Sequence, residues 1–271
     1  MTETDPATAP LASGYGPSAP PGDNLTNDFI QETAASYRAL AVARGDRNTR
    51  VEGVVTMTDA GLPLPFWNRA VLEQPTDDVP ALLATLRDFF GTEGAPFLLD
   101  SAWPLPDLRP HGFMLMGHPP MMLRPPSVLP AAPAELRIRP VTDAATATDL
   151  ERTLVDGYPA PQLQPFRGVT LMTDGTLRAP GWHHFVGYVD DRPVAAGSCY
   201  VGEQLLRVEN IATLDDVRGR GYGLAITAAT IAVDLAKPAT LVASDLGRPI
   251  YEKLGFTAVS RCTYWLGLRS A

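Results

Sequence analysis

The run Arg218-Gly219-Arg220-Gly221-Tyr222-Gly223 puts two cations and three positions without side chains into six residues. A short apolar stretch, Ile211-Ala212-Thr213, and an acidic turn at Asp215-Asp216 precede it. Apolar residues recur after it at Leu224, Ala228, Ile231 and Leu235, the spacing of one helical face. Lys237 and Pro238 close that helix. A strand–turn–helix unit of this kind presents first-turn N–H groups that have no partner within the helix, at the positive end of its dipole. Glycine lets a bulky anion approach that backbone, so the chemistry expected here is anion binding. The G-x-G-x-G spacing is not that of a dinucleotide turn, and no Gly-Lys-Ser/Thr follows, so it is not a Walker A loop either.

Other reactive side chains are sparse. Cys199 and Cys262 give neither a disulfide framework nor a metal spacing, and the four histidines are scattered apart from His183-His184. No metal is expected. The net charge of −8 argues against a nucleic-acid surface, which would be basic. No apolar run has the length of a membrane span, and acidic residues precede the first apolar ones, unlike a secretory signal. The expected location is the cytoplasm.

The elements that position the glycine turn divide the chain into four parts. Residues 1–24, rich in Pro, Ala, Gly, Ser and Thr, read as a disordered tail. Residues 25–124 read as a first α/β unit. It has helices over Asp28–Arg44 and Val79–Phe90, and extended runs over Val51–Met57, Phe66–Leu72, Phe97–Leu99 and Gly112–Leu123. A proline-rich linker covers 125–134. Residues 135–271 open with a strand at Leu136–Val141, a helix over Ala144–Val155 and a less regular helix over Gln162–Met172. A hairpin over Trp182–Val201 and a strand over Leu205–Thr213 lead into the glycine turn. A short strand, Ala239–Ser244, then precedes Tyr251-Glu252-Lys253-Leu254-Gly255-Phe256. The final strand, Cys262–Leu268, is able to pair with a second copy, so a homodimer is a further expectation.

The R-x-x-G-x-G pattern of Arg218, Gly221 and Gly223, and the later Y-x-x-L-G-F segment beginning at Tyr251, resemble the acyl-CoA-dependent N-acetyltransferases of the GNAT superfamily. The resemblance covers roughly Leu136 to Leu268. It implies a mixed, mostly antiparallel α/β (α+β) sheet flanked by helices. The smaller N-terminal unit, with Gly112-Phe113 echoing Gly255-Phe256, is then a candidate degenerate copy that lacks the phosphate loop. Acetyl-CoA, or another acyl-CoA, would be the co-substrate, held by Ile211, Ala212, Thr213, Arg218, Gly219, Arg220, Gly221, Tyr222, Gly223 and Leu224. Arg218 has a second reading, bracing the turn through Asp215 or Asp216. The implied activity is transfer of an acetyl group to a small-molecule amine by direct attack. Acetylation of a protein or peptide, and a non-catalytic acyl-CoA-binding module, are the alternatives. Tyr251 is the expected acid for the leaving thiolate. Glu209 is either the base or the ion-pair partner of Arg207, with His183 or His184 as other bases and a covalent route through Cys199 disfavoured. Tyr158, Phe166 and Trp182 are placed near the acceptor, although core packing is the better reading for each aromatic alone.

Overall fold

A computed structural model of the chain describes residues 24–91, 95–158 and 164–268. The expected tail lies outside these residues except for Asn24, whose side chain accepts from the Asn27 N–H at 3.0 Å and caps the first helix. That helix, α1 (Leu25–Arg44), ends at Gly45 in the left-handed conformation. The single strand expected over Val51–Met57 is instead a hairpin, β1 (Arg47–Val51) and β2 (Val55–Asp59). Gly53, at φ +68°, makes the turn between them. There follow β3 (Asn68–Leu72), α2 (Val79–Phe90), β4 (Phe97–Ser101), β5 (Phe113–Gly117) and β6 (Pro120–Arg124).

The second half runs β7 (Arg137–Pro140), α3 (Ala144–Gly157), α4 (Asp174–Leu177), β8 (Trp182–Val189), β9 (Arg192–Val201) and β10 (Leu206–Thr213). It continues with α5 (Tyr222–Ile231), β11 (Ala239–Val242), α6 (Arg248–Lys253), β12 (Thr257–Arg261) and β13 (Thr263–Gly267). The helix expected over Gln162–Met172 does not form in its described part, residues 164–172. Pro165 removes an N–H, and Gly168 sits at φ +137°, outside helical space. The α5 helix stops at Ile231, a turn earlier than its apolar spacing suggested, and the Asp234 carboxylate takes the Ala236 N–H at 3.1 Å.

Two sheets result, in the orders β1-β2-β3-β4-β13-β5 and β12-β6-β11-β10-β9-β8-β7. Each contains one parallel pair with a helix between its strands: β3 and β4 around α2, and β10 and β11 around α5. Set side by side, the first sheet repeats the second strand for strand, less one edge strand. The strand beside the parallel pair is exchanged. β13 of the second half lies between β4 and β5, and β6 of the first half lies between β11 and β12. The sheets therefore cross the expected division at residues 124 and 135. With both its edges paired, β13 has none left for a second copy, which closes that route to a homodimer.

The helix α1 joins the halves further. Its Glu32 accepts the Gln204 N–H at 2.7 Å, and its Ser36 carbonyl accepts the Trp182 indole N–H at 3.0 Å. Leu64 of the first half packs among Leu150, Leu154 and Met172 of the second. No helix among the described residues is long and apolar enough to cross a membrane.

Because β13 completes the first sheet and seats Trp265 in its core, ending the chain at Arg261 should abolish the cooperative urea transition seen by far-ultraviolet circular dichroism. Trp265→Ala in the full chain should cost about 3–5 kcal/mol on the same measurement. An unchanged midpoint for the truncated chain would contradict this role of β13.

Candidate functional site

The glycine turn forms as its residues dictate. Gly219 and Gly221 adopt φ +81° and +85°, where a side chain is strained, and Gly221 begins α5 with no side chain capping the helix. Arg220 is exposed at this turn and forms no ion pair among the described residues. Arg218 is committed elsewhere. It pairs with Asp215 at 2.7 Å and donates to the Thr213 and Gly157 carbonyls, which ties the end of α3 to the loop. Of the two readings for Arg218, the structure places it as the brace.

Gly223 does not open the surface in the manner expected of it. A Cβ there would lie 3.0 Å from Thr213 Oγ1 and 3.2 Å from Ile250 Cδ1, so its bareness lets α5 pack against β10 and α6. The Tyr222 side chain is buried and donates to Glu135 at 3.2 Å, which leaves only its backbone N–H toward the loop. Leu224 and Ile211 pack into the core beside α5, and Ala212 is buried against α3. The first copy differs at the matching point. There Asp78 caps α2 itself, its carboxylate accepting the Ala81 N–H at 3.0 Å, so the anion position is filled by the chain's own side chain.

The parallel pair beside this loop separates. β10 pairs with β11 only at Leu206↔Ala239 and Arg207↔Thr240. On its other side β10 carries a bulge between Glu209 and Ala212, with Asn210 at φ +55°, a conformation that Asn tolerates. Gly197 accommodates the bulge, since a Cβ there would lie 2.9 Å from Ile211 Cδ1. Beyond Arg207 the edge of β10 thus faces an opening that runs from the glycine turn to Glu209. Unpaired strand groups there can bond an extended amide-bearing ligand. The uncapped helix end and the unpaired strand edge lie at the same end of the sheet.

Glu209 sits where the opening meets the first half. Its Oε1 is held by Arg207 at 2.6 Å and by the Tyr37 hydroxyl at 3.3 Å, whereas Oε2 makes no hydrogen bond to a described residue. The ion-pair reading of Glu209 is thus met in the structure, with Oε2 not engaged by a described residue. Tyr251 lies close enough for the Glu209 charge to act on it, and burial raises its phenol well above the ordinary value. Tyr158 keeps 40% of its surface open, yet burial raises its phenol too, with Tyr251, Glu209 and Tyr37 around it. It lines a recess.

The other expected residues have partners of their own. Trp182 is buried in the joint with α1, packed on Leu40 and Ala179. Phe166 is half-buried under the guanidinium of Arg152 at 4.9 Å. His184 is buried, hydrogen-bonded to Ser198 at 2.8 Å and stacked on Trp182, and burial lowers its pKa to about 4. His183 points the other way and is exposed. Cys199 is enclosed in the core, where burial pushes its thiol up to about 12. Sequence reasoning missed the first-half contribution: Tyr37, Phe66, Arg69 and Asp100 meet Arg207, Glu209 and Tyr264 here. Arg69 and Arg207, each a cation beside apolar residues within a strand, are the available signal. Among the described residues no group of three or more His, Cys, Asp or Glu is placed to hold a metal ion.

Comparison with known proteins gives the fold. No family model and no curated protein matches the chain. Solved structures do. A GCN5-related N-acetyltransferase from Kribbella flavida is 22% identical, with a TM-score of 0.63 over 87% of this chain and 95% of that one. An acetyltransferase of the GNAT family from Novosphingobium aromaticivorans, described as putative in its name, is 18% identical, with a TM-score of 0.55 over 82% and 91%. A tandem GNAT protein from the clavulanic acid biosynthesis pathway is 15% identical, with a TM-score of 0.52 over 90% and 96%. The chain has the GNAT fold, in the two-domain arrangement.

Two outcomes follow from this geometry. Gly221→Val places a branched side chain at φ +85°, where the left-handed backbone alone costs about 1–2 kcal/mol, and should weaken coenzyme A binding at least tenfold by calorimetry. His184 stays neutral in the folded chain, so its contribution is present above pH 6.5 and is lost as the pH falls toward 4. Urea midpoints should therefore drop over that window in the wild type and less in His184→Gln.

Proposed function

We propose that this chain transfers an acyl group, acetyl from acetyl-CoA in the first instance, to the amine of a small molecule. The observation that carries this reading is the separation of β10 from β11 beside the uncapped start of α5, which leads directly to Glu209 and Tyr251. The amine nitrogen attacks the thioester carbonyl as its proton passes to Glu209 Oε2, directly or through water. The C–N bond forms, the C–S bond breaks, and Tyr251 donates its proton to the departing thiolate. Burial suits Tyr251 to this, because it favours the neutral, proton-bearing phenol. The first half reaches Glu209 through Tyr37 of α1 and sets Phe66 beside Arg69 and Tyr264, which favours a small acceptor over an extended peptide. An acidic chain whose two cysteines are free and buried suits the cytoplasm.

Incubation with acetyl-CoA and a panel of amines, read as free thiol, should give amine-dependent release, and thiol release no faster than hydrolysis for every amine would count against the activity. Tyr251→Phe should lower kcat roughly 100-fold while the KM for acetyl-CoA changes less than about threefold. Since burial raises the phenol, its loss of a proton should produce no fall in wild-type kcat between about pH 7 and 10.

A further inference from the structure

Arg69 is almost wholly enclosed, 2% exposed, and its guanidinium is under-bonded. Nη2 donates to Asp100 at 2.9 Å. Nε is buried without a partner, and Nη1 makes no hydrogen bond to a described residue. A guanidinium carries five N–H groups, and a buried charge with most of them unused is costly. Aromatic rings surround it, with centroids 4.6 Å away for Tyr37, 5.2 Å for Tyr264 and 5.9 Å for Phe66. Rings satisfy the charge but accept none of the in-plane N–H bonds. Phe66 is half exposed, so this box borders solvent. Tyr37 joins it to the acceptor recess, its ring against Arg69 and its hydroxyl on Glu209.

The charges around the recess are matched. Arg69 pairs with Asp100 and Arg207 with Glu209, two cations and two anions. A polycation entering here would find no spare carboxylate. A ligand with one amine and one carboxylate has no net charge and leaves no buried charge uncompensated.

We propose that the acceptor carries a carboxylate as well as its amine, that it is an amino acid or a compound of that class, and that the Arg69 guanidinium from the first half holds the carboxylate. The fate of the amine rests on the acyl transfer proposed above, whereas the carboxylate site rests on the geometry of Arg69 alone. The degenerate half then selects the substrate while the other half binds the acyl donor.

The test is calorimetric and needs no turnover. N-acetylglycine, N-acetylalanine, N-acetylleucine and N-acetylphenylalanine are each titrated into the full-length protein beside the matching C-terminal amide. At least one acid should bind tenfold or more tighter than its amide. Arg69→Gln should reduce that preference below about threefold, and Arg69→Lys should keep part of it. Acids that bind no better than amides, no binding by any acid, or a preference that survives Arg69→Gln would each overturn the assignment and leave an arginine hydrated by water only. Should Arg69→Gln fail to fold, the wild-type comparison and Arg69→Lys decide. Titration of acetyl-CoA into the same preparation separates the two proposals. Donor binding without acid preference sinks only this one, and acid preference without donor binding sinks only the acyl transfer.

Discussion

Two strands that begin side by side and then part are the feature on which the site depends. β10 and β11 are bonded over two residue pairs and no further. Unpaired strand edges are costly unless something covers them, and here they face an opening that ends at the glycine turn. The bulge at Asn210 re-aims β10 on its other edge, and Gly197 makes room for it. Arg218 then fixes the loop to the ends of α3 and β10. Opening, loop and recess are consequences of one departure from regular pairing.

The second constraint is electrostatic. Arg69 and Arg207 are among the largest fully buried side chains, and they come from different halves. Each meets a carboxylate and an aromatic face, and Tyr37 touches both. Removing one partner from such a set leaves an uncompensated charge in a low-dielectric site. Each ion pair lies within one half. The contacts that cross between the halves here are the Tyr37 hydroxyl on Glu209, the Tyr37 ring under Arg207 and the Arg207 bond to Thr33. With the shared strands, these hold the two halves in one relative position.

What could be read from the chain was what is local. The glycine turn, α2, the hairpin of β8 and β9, and the interruption at Pro119-Pro120 depend on neighbours within a few residues, and they stand where the pattern put them. The β1–β2 hairpin reads from sequence as one strand because 52–54 carries a single turn residue, Gly53. The exchange of β6 and β13 was illegible, since alternation shows that a strand has faces but not which strand lies beside it. The recess was half legible for the same reason. Arg207 donates to Thr33 across 174 positions, and nothing near Arg207 names α1 as its neighbour.

The exchange of strands also bears on how the molecule is made. β5, produced early, has no partner on its inner edge until residues 263–267 have been synthesised, and β4 waits with it. A nascent first half thus carries a gap the width of one strand through most of translation. It cannot close that gap alone, and a neighbouring nascent chain offers the same missing piece. Mutual donation of a strand gives a fold whose halves reach their final state together.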